Sequence, residues 1–195
     1  MPHDTIRFPL HDEDTAPGES PALLRQAGEN LGKIPNLERV MASSPPLLRA
    51  YVQMWELFDE TSFTPIERQV VYQTANYENN CTYCVPWHTW LSQQTGMAPA
   101  VSDALRQGLP LPDARLEALR VFTTSLIEQR GHPSSEMKEA FFAAGWEPHH
   151  ALEAILGLAV KLMSNYTNGV AGTPLDSMVK PFAWTKPAAA KENHT

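Results

Sequence analysis

Between Pro21 and Tyr166 the apolar residues of this chain recur at three- and four-residue intervals, and no stretch of any length alternates apolar with polar. Side chains repeat every 3.6 residues on a helix and every two on a strand, so the pattern predicts an all-α chain. Proline, glycine and small capping residues cut it into segments. Pro21 and Gly32 frame a helix carrying Leu23, Leu24, Ala27 and Leu31. Pro35 blocks continuation, and Asn36 restarts a short helix through Met41. Ser43-Ser44-Pro45 reads as the start of a helix to about Phe58, with a stripe of Leu48, Tyr51, Trp55 and Phe58. Thr64-Pro65-Ile66-Glu67 is a strong helix start, with Thr capping and Glu at the third position. Ile66, Val70 and Tyr77 then face the core. Gln69, Gln73 and Asn76 share a polar face that meets either solvent or a site.

Further on, a short helix over 98–107 ends at Gly108, and one over 113–130 points Leu116, Leu119, Phe122 and Leu126 inward. Ser134 or Ser135 caps another through Ala144. The last long helix follows Pro148, ends near Asn165 and Asn168, and is expected to bury Leu152, Ile155, Leu156, Ala159, Met163 and Tyr166, with Gly157 permitting close approach. His149 and His150 open it and are expected to be exposed, as is the loop residue His132. Residues 173–176 turn into a final short helical piece. At 195 residues a single domain (1–195) is expected, with a polar arm over 1–20 carrying His3 and His11, and a frayed tail over 184–195.

A net charge of −7 argues against a nucleic-acid surface. Met1-Pro2-His3-Asp4 lacks the basic region and apolar run of a secretory leader. The best membrane candidate, Ala151–Met163, contains Glu153 and Lys161. A cytoplasmic protein with neither membrane nor nucleic-acid partner is expected. There is no Gly-rich phosphate loop and no Gly-x-Ser-x-Gly elbow, and no cofactor is expected.

The chemistry is concentrated in Asn79-Asn80-Cys81-Thr82-Tyr83-Cys84-Val85-Pro86-Trp87-His88, which holds both cysteines of the chain. On a helix, positions i, i+3 and i+7 share a face, so Cys81, Cys84 and His88 can meet. Asn79, Asn80 or Thr82 can cap the helix here. Pro86 favours the later start, because the first four helical positions need no N–H partner. Cys81 then lies just before the helix and Cys84 in its first turn, where the dipole favours a thiolate. His88, four residues on, can take the proton from Cys84. Cys84 becomes the attacking sulfur and Cys81 the resolving one. Two cysteines in one turn can also be plain core. Zinc on Cys81, Cys84 and His88 would need a fourth ligand from a carboxylate or His149. Haem attachment is excluded by Val85, which stands where a histidine would follow the second cysteine.

The stretch resembles the active-site motif of the alkylhydroperoxidase D / carboxymuconolactone decarboxylase family: a Glu, eleven residues, then Cys-x-x-Cys-x-x-x-His. Ile34-Pro35-Asn36, Leu47-Leu48 and the run Asn168 to Asp176 resemble its flanks, so the likeness covers roughly residues 20–180 and is nearest to single-domain peroxidase-related members. It implies a helical bundle with the Cys-x-x-Cys at the N-terminus of a central helix, thiol-dependent peroxidase or disulfide reductase activity, and homo-oligomers (dimer, trimer or hexamer). The family's Glu is Gln69 here, and Tyr83 stands where some members carry His. An amide cannot accept a proton. The relay that deprotonates the attacking cysteine is therefore incomplete, which predicts slow peroxidase turnover. Glu67 points elsewhere on its helix, while Glu78 can approach the dyad. Gln69, Tyr83 and Trp87 are expected to line the site.

The expected function is reduction of a hydroperoxide through a Cys84 thiolate and a Cys81–Cys84 disulfide, an antioxidant-type activity, with a dithiol protein or small thiol as reductant. A lactone decarboxylase, which needs acid–base groups rather than a cysteine pair, is one alternative. A non-catalytic redox- or metal-responsive binding protein is the other.

Overall fold

Each helix begins and ends where the local chemistry allows. The structure is a computed structural model and describes residues 7–188. It contains α1 (Ser20–Leu31), α2 (Asn36–Met41), α3 (Pro45–Asp59), α4 (Pro65–Glu78), α5 (Cys84–Gln94), α6 (Pro99–Gln107), α7 (Ala114–Glu128), α8 (Ser135–Ala143), α9 (Pro148–Ala171) and a 3-10 helix (Ser177–Phe182). Among the described residues there is no strand, as the spacing predicts. Thr64 caps α4 by accepting from Glu67 N–H, and the Glu67 carboxylate accepts from Thr64 N–H. The Thr64 side-chain cap stabilises the start by about 1 kcal/mol. Gly32 and Gly108 end α1 and α6 in the left-handed region.

The link from α4 to α5 differs from expectation. Asn80 is not an N-cap: it takes a left-handed φ of 51° and ends α4. Cys81 N–H then donates back to Asn76 C=O (2.9 Å), the 6→1 bond of a Schellman turn. Asparagine tolerates that φ, so the reversal can be this tight. The following helix starts at Cys84 with Tyr83 in the cap position, one residue later than a Thr82 cap would place it, and Pro86 sits in its first turn.

At the centre, α4 packs against α5, α7 and α9, while α3 lies across α9. Phe58, Val70, Val71, Leu119 and Val160 are fully buried between these helices. The expected polar face of α4 turns inward: Gln69, Gln73 and Asn76 are all buried. A ladder of side-chain hydrogen bonds satisfies it, from Gln73 to Val85 C=O (3.2 Å), Asn76 to Gln73 (3.1 Å) and Asn165 to Asn76 (2.9 Å).

The expected inner face of α9 is only partly right: Leu156 and Met163 are half-buried against the core, and Gly157 does permit close approach. Leu152, Ile155 and Tyr166 are exposed, together with Leu162 and Val170. The buried face instead carries Ala154, Gly157, Val160, Lys161, Ser164, Asn165 and Asn168. Small residues let α9 approach closely; a Cβ on Gly157 would stand 2.7 Å from Phe58 Cζ. The polar residues on that face belong to the site. α9 also runs past Asn168 to Ala171. His150 is buried rather than exposed, packed edge-on against Trp146 and tilted against Phe63, and accepting from Glu147 N–H (3.0 Å).

Both ends of the described segment dock on the rest of it. Arg39 donates to the carbonyls of His11 (2.8 Å) and Leu10 (3.2 Å). Trp184, expected in a frayed tail, donates to Arg106 C=O (2.7 Å), and Lys186 lies over the Tyr77 ring. His3 and residues 189–195 lie outside the described residues. No helix among the described residues is long and apolar enough to cross a membrane.

Candidate active site

The Schellman turn delivers Cys81 and the start of α5 delivers Cys84. Both thiols are free and buried. The Cys84 N–H, unpaired within α5, donates to Cys81 Sγ at 3.2 Å. On the other side Asn168 of α9 donates to Cys84 Sγ (3.2 Å), with Cys81 Sγ 3.9 Å away. Burial alone pushes the Cys84 thiol up. The Cys81 thiol donating to it, the charge of Lys161 and the Asn165 and Asn168 amides more than offset this and bring it down to about 6. Cys81 is pushed the other way: its proton is held by Cys84, and burial adds to the effect. The two sulfurs are therefore unequal. The surroundings favour the thiolate at Cys84 and the thiol at Cys81, which supports it.

Lys161 was missed in the sequence. Its side chain is 1 % exposed. Its Nζ lies 2.8 Å from His88 Nε2 and 5.2 Å from the centre of the Tyr72 ring. His88 Nδ1 lies 2.8 Å from Gln69 Oε1. An amide oxygen only accepts, so Nδ1 carries the proton and Nε2 offers its lone pair to Lys161. Burial, then the Lys161 charge, hold His88 well below the usual imidazole range, so it is neutral. Burial also lowers Lys161, and the negative Cys84 sulfur raises it again. Ammonium and thiolate sustain each other as a buried pair.

This corrects the expected role of His88. Neither thiol hydrogen-bonds to its ring; its two nitrogens are taken by Gln69 and Lys161. Gln69 does reach the site, through His88. Glu67 does not: it caps α4 and pairs with Arg115. Glu78 accepts from Thr124 (3.0 Å) and does not approach the dyad. With both His88 nitrogens engaged, the zinc arrangement loses a ligand. Among the described residues no three His, Cys, Asp or Glu side chains cluster as metal ligands.

In front of Cys84 lies a cavity of about 210 Å³, walled by Tyr51, Trp55, Tyr83 and Trp87 and floored by Cys84 and Lys161. At its rim Gln26 of α1 donates to Glu56 of α3 (2.8 Å). Two of the walls are pinned by one buried carboxylate, Asp176: it accepts from Tyr83 O–H and from Trp87 Nε1 (3.0 Å). Lys33 (2.8 Å) and the Asn36 N–H at the start of α2 complete its shell. Glu38 of α2 also lines the cavity and is 7 % exposed. Like Lys161, it carries no sequence signal that it would be buried.

No family model matches the chain, and no curated protein does. Solved structures do. An uncharacterised peroxidase-related protein from Ralstonia eutropha JMP134, described as an alkylhydroperoxidase AhpD core, superposes with a TM-score of 0.80 at 19% identity, covering 89% of this chain and 93% of its own. An uncharacterised peroxidase-related protein from Silicibacter sp. TM1040 gives 0.75 at 19% identity over 89% and 92%. A cysteine-to-alanine variant of the debrominase Bmp8, in complex with 2,3,4-tribromopyrrole, gives 0.75 at 18% identity over 92% and 96%. The chain has the all-helical AhpD-like fold, with its Cys-x-x-Cys at the start of α5.

Proposed function

We propose that this protein is a thiol oxidoreductase that reduces hydroperoxides at Cys84, working in a reducing cytoplasm. The observation that carries the reading is the environment of one sulfur. Cys84 faces a cavity, stands at a helix N-terminus, and receives hydrogen bonds from Cys81 and Asn168 beside the charge of Lys161. A thiol held near 6 is mostly thiolate at neutral pH, which is the nucleophilic form. It attacks the terminal oxygen of the hydroperoxide, breaks the O–O bond and becomes a sulfenic acid, and the alcohol leaves. Cys81 then attacks the Cys84 sulfur, water leaves and a disulfide remains. A dithiol reduces the disulfide in two exchanges and is itself oxidised. The aromatic walls suit a small, partly apolar hydroperoxide. The test is peroxide consumption with a dithiol reductant. Activity is expected to vanish in Cys84→Ser, and Cys81→Ser is expected to accumulate sulfenic acid on Cys84. Full activity in Cys84→Ser would overturn the reading.

The flat aromatic walls favour one second reading, reductive debromination of a small aromatic, by analogy with the debrominase neighbour. There the thiolate takes the bromine, the carbon takes a proton, and Cys81 displaces bromide as the disulfide forms. Bromide release from a brominated pyrrole, without peroxide consumption, would select it.

The exposed apolar stripe on α9 supports a homo-oligomer. Leu152, Ile155, Leu162, Tyr166 and Val170 are each more than half exposed along one helix face. A second copy of this chain is the occupant proposed for it.

A further inference from the structure

Glu38 is a buried carboxyl group on the cavity wall that the mechanism above leaves idle, whereas Glu56 at the rim is taken up by Gln26. It sits on α2, it is 7 % exposed, and its Oε2 is buried with no hydrogen-bond partner. An unpaired buried carboxylate oxygen is costly unless the group is neutral or something fills the space in front of it. Both conditions fit a cavity that receives a polar oxygen. The same cavity holds Cys84, so a substrate attacked at that sulfur lies within a volume of about 210 Å³ that Glu38 also borders.

We propose that Glu38 is the general acid of this site, protonating the oxygen that leaves when Cys84 attacks. The inference rests on the peroxidase reading. Cys84 thiolate forms a bond to the terminal oxygen, the O–O bond breaks, and the alkoxide takes the Glu38 proton to leave as alcohol. Glu38 is left as a carboxylate. Its proton returns when the reductant dithiol, oxidised to a disulfide, gives up two protons, one to Cys81 and one to Glu38.

The surroundings keep Glu38 loaded. Burial and the charges of Asp176 and the Cys84 thiolate raise it, its own backbone N–H and Lys161 lower it, and the balance is about 8. Tyr51 and Tyr83 face it as well, and both stay neutral because burial and the nearby negative groups push them up. At pH 7 the site thus holds a thiolate and a carboxylic acid side by side, the pairing that such a displacement needs. The sign follows directly. Activity rises through about pH 6 as Cys84 ionises, and falls through about pH 8 as Glu38 loses its proton.

The test compares an alkyl hydroperoxide, whose alkoxide needs a proton to leave, with a peracid, whose carboxylate does not. Glu38→Gln keeps the shape and removes the acid. With the alkyl hydroperoxide the rate of sulfenic acid formation is expected to fall roughly 10²- to 10⁴-fold and lose its alkaline limb, while the peracid rate changes less than about tenfold. Glu38→Asp is expected to regain part of the alkyl hydroperoxide rate. Equal losses on both substrates, or none on either, overturn the role of Glu38 while the peroxidase reading stands. A wild-type protein that consumes neither oxidant overturns both.

Discussion

After the Cys81 thiol, the Lys161 charge does most to offset the burial of Cys84. Its ammonium is oriented by the neutral His88 ring, which Gln69 holds in the Nδ1–H tautomer. Lys161→Met is expected to raise Cys84 from about 6 and cut the thiolate present at neutral pH, with proportionate loss of peroxide reduction. A pH titration of sulfenic acid formation would read this, and an unchanged midpoint would remove Lys161 from the account. Gln69 then looks different from its sequence reading. The motif suggests a relay lacking its carboxylate. In the structure the relay ends on Lys161, and an added negative charge beside His88 would draw a proton onto the ring and set it against the ammonium. Gln69→Glu is therefore expected to lower the peroxidase rate; a rise would restore the carboxylate relay. The contact between Cys81 and Cys84 was legible from their spacing, but the partners of the His88 ring were not, since Gln69 and Lys161 reach it from α4 and α9. Nor were Lys161 and Glu38, because hydropathy places charged side chains in water, and only tertiary packing shows that these two are buried.

At the scale of elements, α9 carries both the lesson and a test. Its sequence has two faces of similar helical period, one of Leu, Ile, Tyr and Val, the other of Gly, Ala, Ser, Asn and one Lys. Burial by hydrophobicity selects the first, and the structure selects the second. The reason is that α9 supplies Lys161, Asn165 and Asn168 to a buried site, while Gly157 makes the approach possible. The helix boundaries, by contrast, were legible to within a few residues from capping chemistry, as at Thr64 and Gly108. Gly157→Ala gains about 1 kcal/mol of helix propensity. Its Cβ would nonetheless sit 2.7 Å from Phe58 and 2.8 Å from Val71, both fully buried. Against an overpacking cost of about 1–3 kcal/mol, a net loss of up to about 2 kcal/mol in urea unfolding is expected. A raised stability would mean that α3 and α9 are less tightly apposed.

For the whole molecule, the turned α9 leaves an apolar stripe on the outside and a polar site within. Its cover by a second copy predicts that Ile155→Glu with Tyr166→Glu lowers the sedimenting mass to that of a monomer, with the fold retained by circular dichroism. A wild type that already sediments as a monomer would leave no role for the stripe in self-association. Fold class was legible throughout the chain, since period and punctuation alone exclude a sheet; oligomer contacts were not, since they depend on which face of α9 turns outward.

The measurement that bears most directly on the central claim is the pH dependence of alkylation of the reduced protein by iodoacetamide, with each modified cysteine assigned by mass spectrometry. Cys84 is expected to react first, with a midpoint near 6, while Cys81 stays unmodified across the neutral range. Alkylation of Cys81 first, or of both with the midpoint of an ordinary thiol, about 8.5, would contradict the assignment of Cys84 as the nucleophile.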